Sequence, residues 1–481
     1  MKSQVLMFGE NSPDQPALGA SVTVAKNCIP QAQSYRAARD LSALSDALDG
    51  TALASIWAQA SDENYYIFAG DATKLYQLNM STTNWANVSQ AGNYTATDWA
   101  MAQWGDRVIA VSKDEATQYF DMGTSTLFAD LAGSPPKAKC IGVVRDFVVL
   151  GNVDDGTNRP NRVVWSGFNN SELWTPSLAT QSDYQDLQGR GGAIQAIVPG
   201  EYGLIFQEFA ITRMTYQGPP TIFRFDEVSR DRGTNAPKSV CWQGTDVYFW
   251  ATDGFYHIGA NGLEPIGNEK IDRFVANDFD TSMPNKFQGK VDIQKKLVVW
   301  TYPSLELNTQ RMVVYRWDLG RWATIDLDVK LLAESKGFSF NLDTLDILLD
   351  DIDSDSFPID SSLYSDAPLY LGGFDSDNKL GIFAGSRLTG TIETGEFSAP
   401  NGKRVNVTSV RPISDGTVTL YAGTRDNQND TYSYGTGKTE NTNGEFDFRT
   451  SSRYHRFKAS ISGAFEHAQG IEIFYREEGR R

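Results

Sequence analysis

Residues Asn64–Asn79 read NYYIFAGDATKLYQLN: an apolar run, a polar turn, and a second apolar run. The same pattern returns at Gly105–Asp121 (GDRVIAVSKDEATQYFD), Arg145–Gly167 (RDFVVLGNVDDGTNRPNRVVWSG) and Tyr202–Gly218 (YGLIFQEFAITRMTYQG). It continues at Gly244–Gly262 (GTDVYFWATDGFYHIGANG) and Gln294–Asp318 (QKKLVVWTYPSLELNTQRMVVYRWD). The starts lie 41, 40, 57, 42 and 50 residues apart, and a β-propeller blade takes roughly 40–50 residues. Ala367–Gly385 (APLYLGGFDSDNKLGIFAG) follows as a seventh unit after a longer gap. Each unit reads as the central hairpin of a four-stranded blade. A lone four-stranded sheet leaves two faces and two edges uncovered; radial stacking buries the faces and ring closure protects the edges. The predicted class is all-β, with a β-propeller-like body of six or seven blades and a small C-terminal β-domain. The same hairpins spread over one or two β-sandwiches are the alternative.

Composition agrees with short strands and turns. Of 481 residues, 40% are hydrophobic and 12% aromatic, only 21% are charged, and glycines number 42. That mix favours strands over long helices. The formal net charge of −17 repels phosphate and argues against a protein that binds nucleic acid by neutralising its backbone. It leaves room for one that lets duplex slide past. Cys28, Cys140 and Cys241 are odd in number and widely spaced, so neither a disulfide framework nor a zinc site is suggested. A reducing cytosol suits them. The first residues, MKSQVLMFGE, lack the apolar core of a signal peptide, and no window reaches the roughly 18 apolar residues of a membrane span.

The chain divides, on this reading, into an N-terminal arm and helix (1–50), the propeller body (51–339), an acidic loop (340–366), a last blade or closure strands (367–400) and the C-terminal β-domain (401–481). The helix is expected from Ser34 to Leu48, with Leu41, Leu44 and Leu48 on one face. The segment 340–366 holds eight aspartates and no lysine or arginine, and is expected to be exposed and partly flexible.

Reactive chemistry is sparse. His257, His455 and His467 are the three histidines; none sits in a metal or nucleophile motif, and each reads as structural. Asp351, Asp353 and Asp355 match the first positions of a calcium loop, but Ser356 and Ser362 stand where glycine and glutamate are needed. No phosphate-binding glycine loop occurs. A glycosidase would need two facing carboxylates, and none of the 60 acidic residues is singled out. No catalytic, cofactor or metal residue is assigned, and no enzyme activity is expected. The residues of interest are basic: Arg159, Arg162, Arg224, Arg230 and Arg232, placed in or beside loops. As inter-subunit contacts, Arg159, Arg162, Arg230 and Arg232 would face Asp350, Asp351, Asp353 and Asp355 of a neighbour. Ordinary solvated arginines are the plainer alternative.

Five strings carry a resemblance: RVVWSGFNN from Arg162 with Trp174; ITRMTYQGPPTIFRFDEVSRDRGTNAPKSVCWQGTDVYFWATDGFYHI from Ile211 to Ile258; Pro265-Ile266-Gly267 with Ile271-Asp272-Arg273-Phe274; the Asp/Leu/Ser-rich stretch before Gly372-Gly373-Phe374-Asp375; and Arg453-Tyr454-His455-Arg456-Phe457 with His467-Ala468-Gln469-Gly470. Together they resemble the tail nozzle or hub group of short-tailed bacteriophages, which includes the packaged-DNA stabilisation proteins. The resemblance implies a non-enzymatic virion protein with a propeller-like body. It implies a ring of identical subunits, usually a hexamer, below the portal and its adaptor. Such a ring would extend the DNA exit channel, retain packaged double-stranded DNA without reading its sequence, and dock fibres, spikes or a needle. The protein would be made in the host cytoplasm and end in the virion tail. The larger members carry insertions that this chain lacks, which leaves a separate plug or fibre-docking tip in doubt. An acidic lumen would repel phosphate and ease DNA passage. The alternative function is a glycan-binding or glycan-cleaving propeller used in host recognition. An unrelated secreted propeller is a third, disfavoured by the N-terminus.

Overall fold

Along Arg107–Val111 successive side chains enter different cores. Val108 and Ala110 pack with Phe68 and Phe120 on one side, whereas Ile109 and Val111 pack with Val148 and Leu150 on the other. Phe147 and Val149 repeat the pattern one sheet on, against Ile205 and Met214. The two-residue period of a strand sends alternate side chains to opposite faces. Both faces are covered here, so the strand reads as a continuous apolar run.

The computed structural model describes residues 2–16, 21–90, 92–336, 369–399 and 402–479. Among the described residues seven four-stranded antiparallel units stand side by side, the first six in chain order from the inner strand outward. The inner strands are Ala54–Gln59, Ala100–Trp104, Lys137–Val144, Ile194–Val198, Cys241–Gln243, Gln288–Asp292 and Leu331–Lys336. The repeated hairpins are the second and third strands of each blade, as the sequence pattern predicts. Seven cores separate the blades. The fifth and sixth blades share Trp250, Phe255, Trp300 and Trp322. The ring closes where Leu331, Ala333, Phe374 and Leu380 of the seventh meet Ile67, Ala69, Tyr76 and Leu78 of the first. Each buried side chain of this size contributes about 1.5–3 kcal/mol, and no blade could bury both faces alone.

The outer strand of the seventh blade comes from the N-terminal region. Ser42–Ala47 pairs antiparallel with Lys379–Ile382, in the register Lys379↔Ala47, Gly381↔Ala43 and Ile382↔Ser42 with one irregularity between. Ser45 Oγ accepts from Leu380 N at 3.0 Å and from Trp85 Nε1 at 3.1 Å, touching the last blade and the first. The helix expected over Ser34–Leu48 is therefore incorrect: the segment forms the strands Tyr35–Ala37 and Ser42–Ala47. Leu44 and Leu48 are buried as expected, but against the seventh and first blades. Their spacing satisfies an irregular strand as well as a helix, and the open edge of Lys379–Ile382 decides between the two.

The C-terminal residues build a β-sandwich, together with N-terminal strands. One sheet joins Lys2–Met7, Ala468–Glu477, Val405–Ser414 and Phe446–Ser452, with Cys28–Pro30 and Tyr35–Ala37 at its side. The other continues out of the sixth blade: Arg321–Ile325 meets Val24–Lys26 in parallel, then come Gly390–Glu393, Tyr454–Ser462 and Thr417–Arg425. One ten-stranded sheet thus belongs to both halves. The sandwich core includes Phe8, Tyr35, Val407, Phe446, Phe457 and Ile473.

Two polar clusters hold the sixth blade and its approach. Arg311, 5% exposed, pairs with Asp278 at 2.8 Å, Glu306 at 3.0 Å and Asp326 at 3.1 Å. Tyr302 Oη and Ser304 Oγ also donate to Asp278. Asp14, from the N-terminal arm, accepts from the backbone N–H of Arg273 (2.7 Å) and Phe274 (2.9 Å). It caps the helix Asp272–Asp278 from outside, taking up donors that a helix start leaves unpaired.

Asp272 lies beside this cap. Burial pushes its carboxyl up to about 7; the hydrogen bond from Phe255 N works against that, while Asp14 and Asp253 add to it. A folded-state value above the unfolded one means that the folded protein holds the proton more tightly. This contribution is fully present below about 4 and is lost as pH rises through about 7. Asp272→Asn keeps an oxygen for Phe255 N and removes the buried charge. It is expected to raise stability at pH 8 by on the order of 2 kcal/mol and to change little at pH 4. Urea midpoints of both proteins at the two pH values test this; an equal shift at both would refute it.

Candidate functional site: the central channel and the outer arginines

The inner strands line a central cavity of about 480 Å³. Their alternation that buries one set of side chains turns another toward the axis. Lys139 Nζ donates to Gln195 Oε1 at 2.7 Å. Lys238 Nζ donates to Leu53 O at 2.7 Å and pairs with Asp98. Lys290 lies 3.3 Å from Glu334. Burial holds the Lys139 ammonium below its usual range. Cys140 and Cys241 reach the wall, but burial pushes the Cys140 thiol up to about 12 and raises that of Cys241 as well. A nucleophilic sulfur must be a thiolate, so these thiols are unsuited to attack near neutral pH. Trp242, 42% exposed, stands at the rim with Gln243.

The histidines sit in structural settings. His257 Nε2 lies 2.7 Å from Asp246 and its ring stacks on Tyr248. His455 is fully buried with Nε2 2.9 Å from Val405 O, and burial lowers its pKa. His467 faces Ser34. Among the described residues no group of three or more His, Cys, Asp or Glu side chains could hold a metal ion. No helix of the described residues is long and apolar enough to cross a membrane.

Of the arginines singled out in the sequence, Arg159 and Arg162 lie on the third strand of the third blade, Arg224 on the outer strand of the fourth, and Arg230 and Arg232 in the loop after it; each has acidic partners in its own chain. Arg162 forms a fork with Asp186 (2.6 and 2.8 Å), reaches Asp155 at 3.2 Å and lies over the Tyr184 ring at 4.0 Å. The fork raises the Arg162 pKa and lowers that of Asp186. Arg159 pairs with Asp155 at 3.0 Å and Arg224 with Asp226 at 2.8 Å. Arg230, 84% exposed, pairs with Glu227 at 2.6 Å. Arg232 reaches Asp231 and Asp253 and accompanies Tyr256. Arg162 and Arg159 share Asp155, and Arg224 and Arg230 border one groove between the third and fourth blades. Asp350, Asp351, Asp353 and Asp355 lie outside the described residues.

Beside Arg162 the chain between the third and fourth strands of the third blade exposes large apolar side chains: Phe168 (47%), Leu173 (40%), Leu178 (64%) and, where the fourth strand begins, Tyr184 (44%). Large apolar side chains exposed together on one segment suit a contact surface. The sequence pattern missed both this surface and the channel lysines. The three lysines come from three of the seven blades, Lys139 and Lys290 on inner strands and Lys238 on the turn before one, far apart in the chain, so no local motif joins them.

No family model matches the chain. No curated protein matches it. Among solved structures, the computationally designed protein Ika8 is 12% identical, with 79% of this chain and 98% of that one covered and a TM-score of 0.39. The extracellular domain of a hybrid two-component system from B. thetaiotaomicron is 10% identical, with 86% of this chain covered and a TM-score of 0.40. This chain spans about half of that protein's length, 48%. The propeller assignment rests on the strand pairing within the chain itself.

Proposed function

We propose that this chain is a non-enzymatic structural subunit of a short phage tail, assembling with copies of itself into a ring that continues the DNA exit conduit below the portal. The ring would retain packaged DNA, let it pass on ejection, and offer docking surfaces to fibres or spikes. The resemblance carried by the five strings supports the family. The observation that carries the assembly is the exposed loop of the third blade, Phe168, Leu173 and Leu178 beside the Arg162–Tyr184 pair. Aromatic and arginine side chains are enriched in protein interfaces, and a ring subunit needs unlike surfaces that close by rotation. The ten-stranded sheet shared by propeller and sandwich suits a part that must hold its shape under pressure.

Electron microscopy of the purified protein tests the reading. Rings of identical copies are expected, and Leu178→Glu with Phe168→Glu is expected to leave a folded monomer. A protein that stays monomeric at every concentration, with thermal stability that rises on adding sugars, would defeat it. That outcome would favour glycan binding, for which Trp242 and Gln243 at the channel rim are the supporting observation.

A further inference from the structure

A second cavity, of about 330 Å³, opens where the sixth and seventh blades meet the first strands of the sandwich. Its floor is apolar: Leu297, Val299, Met312 and Leu371 all line it. Its rim carries Arg36, Arg39 and Arg387 with two carboxylates, Glu466 and Asp292.

Arg36 reaches this cavity by strand alternation. Its neighbours Tyr35 and Ala37 are buried in the sandwich core, so the side chain between them points the other way. Arg39 Nη1 donates to Ala384 O at 3.1 Å, and Arg387 pairs with Glu466 at 2.5 Å. Asp292 and Lys295, also on the rim, face each other at 3.5 Å. The Arg36 side chain has no hydrogen bond or ion pair with any described residue, and its Nε is buried without a partner. Burial holds its pKa down; the nearby Glu466 and Asp292 work against that, while Arg316 and Arg387 add to it. A buried guanidinium N–H left unpaired is costly, and an anion that accepts from it removes the cost.

The two halves of the cavity ask for one ligand. A free inorganic anion would satisfy Arg36 and leave the floor bare. A hydrocarbon alone would cover the floor and leave the guanidinium unpaired. The volume is that of a small-molecule site. We propose that this cavity binds a small amphiphilic carboxylate, its head accepting from the Arg36 fork and its tail lying on the floor between the two blades. A planar carboxylate matches the guanidinium edge. The inference is independent of the tail-ring reading.

Calorimetric titration of the full-length protein with octanoate, octanol and acetate tests it. Octanoate is expected to bind at least about tenfold more tightly than octanol, and acetate to give no saturable heat. Arg36→Gln should weaken octanoate about tenfold or more and leave octanol unchanged, with Arg36→Lys between. Should Arg36→Gln fail to fold, the Met312 methyl resonance of the wild-type protein is the second readout, expected to shift on adding octanoate. Equal affinity for octanoate and octanol, indifference to Arg36→Gln, or an unmoved Met312 methyl overturns the proposal. So does a peptide with the sequence of residues 341–352 (NLDTLDILLDDI) binding where octanoate does not.

Discussion

Removing residues 1–50 is expected to abolish cooperative unfolding of the whole chain, although those residues precede the first complete blade. They supply Ser42–Ala47, which completes the seventh blade, and four further strands of the sandwich. Without them Lys379–Ile382 becomes an open edge. The core between the last and first blades loses Leu44 and Leu48, and the sandwich loses Phe8, Val22, Ala25, Cys28 and Tyr35. Calorimetry should show a broadened or absent transition, and hydrogen exchange should show lost protection in both halves. A truncated protein that melts as sharply and as high as the full chain would contradict this closure. A milder variant probes the same joint. A Cβ on Gly381 would stand 2.5 Å from Ser42 O in the closing strand. Gly381→Val must push that strand away, at an expected cost of about 1–3 kcal/mol.

Arg311→Ala is expected to cost about 3–5 kcal/mol, the largest loss from any single side chain considered. Arg311 is 5% exposed and its guanidinium reaches three carboxylates; Asp278, the most buried, is 8% exposed. Taking away the cation leaves Asp278 with only the Tyr302 and Ser304 hydroxyls and the Glu306 N–H. The cost lies in the stranded anion more than in the lost attraction, so adding Asp278→Asn to Arg311→Ala should recover part of it. Urea unfolding of the single and double variants measures this. A single-variant loss under about 1 kcal/mol would show that the network holds no structural weight.

The blades were legible because their middle strands are covered on both faces. Runs such as Val108–Val111 and Phe147–Leu150 have no solvent side, so they stand out as unbroken apolar stretches. The flanking strands do not. Lys137–Val144 alternates because part of it faces the channel, and Asp183–Asp186 is polar because it forms the outer edge of its blade. The N-terminal strands were illegible for another reason. Val24–Lys26 and Tyr35–Ala37 are three residues each; the first finds its partners in the sixth blade and beyond residue 390, and the second pairs with the equally short Cys28–Pro30 and touches Ala468. The helix expected over Ser34–Leu48 failed because a short hairpin with Cys28–Pro30 and the distant edge of Lys379–Ile382 overrode a local spacing. The arginines of the third to fifth blades could be picked out as charges. Their answering acids, such as Asp155 and Glu227, were close enough in the chain to have been noticed. Arg36 and Arg311 could not be distinguished from other arginines without the fold, since what matters is which face of a strand they leave.

The closing strand has a consequence for how the chain is made. Ser45 emerges from the ribosome 335 residues before Leu380, with which it bonds, and Lys2 precedes its partner Glu477 by 475. At roughly 5–20 residues per second the arm waits tens of seconds for its mates. Throughout that time its strands are sticky edges in a crowded cell. Every blade after the first can settle against the one before it as synthesis proceeds, but the first must wait for the last to cover its other face. Recovery of intact molecules therefore depends on whatever keeps those fifty residues unentangled until the final blade arrives.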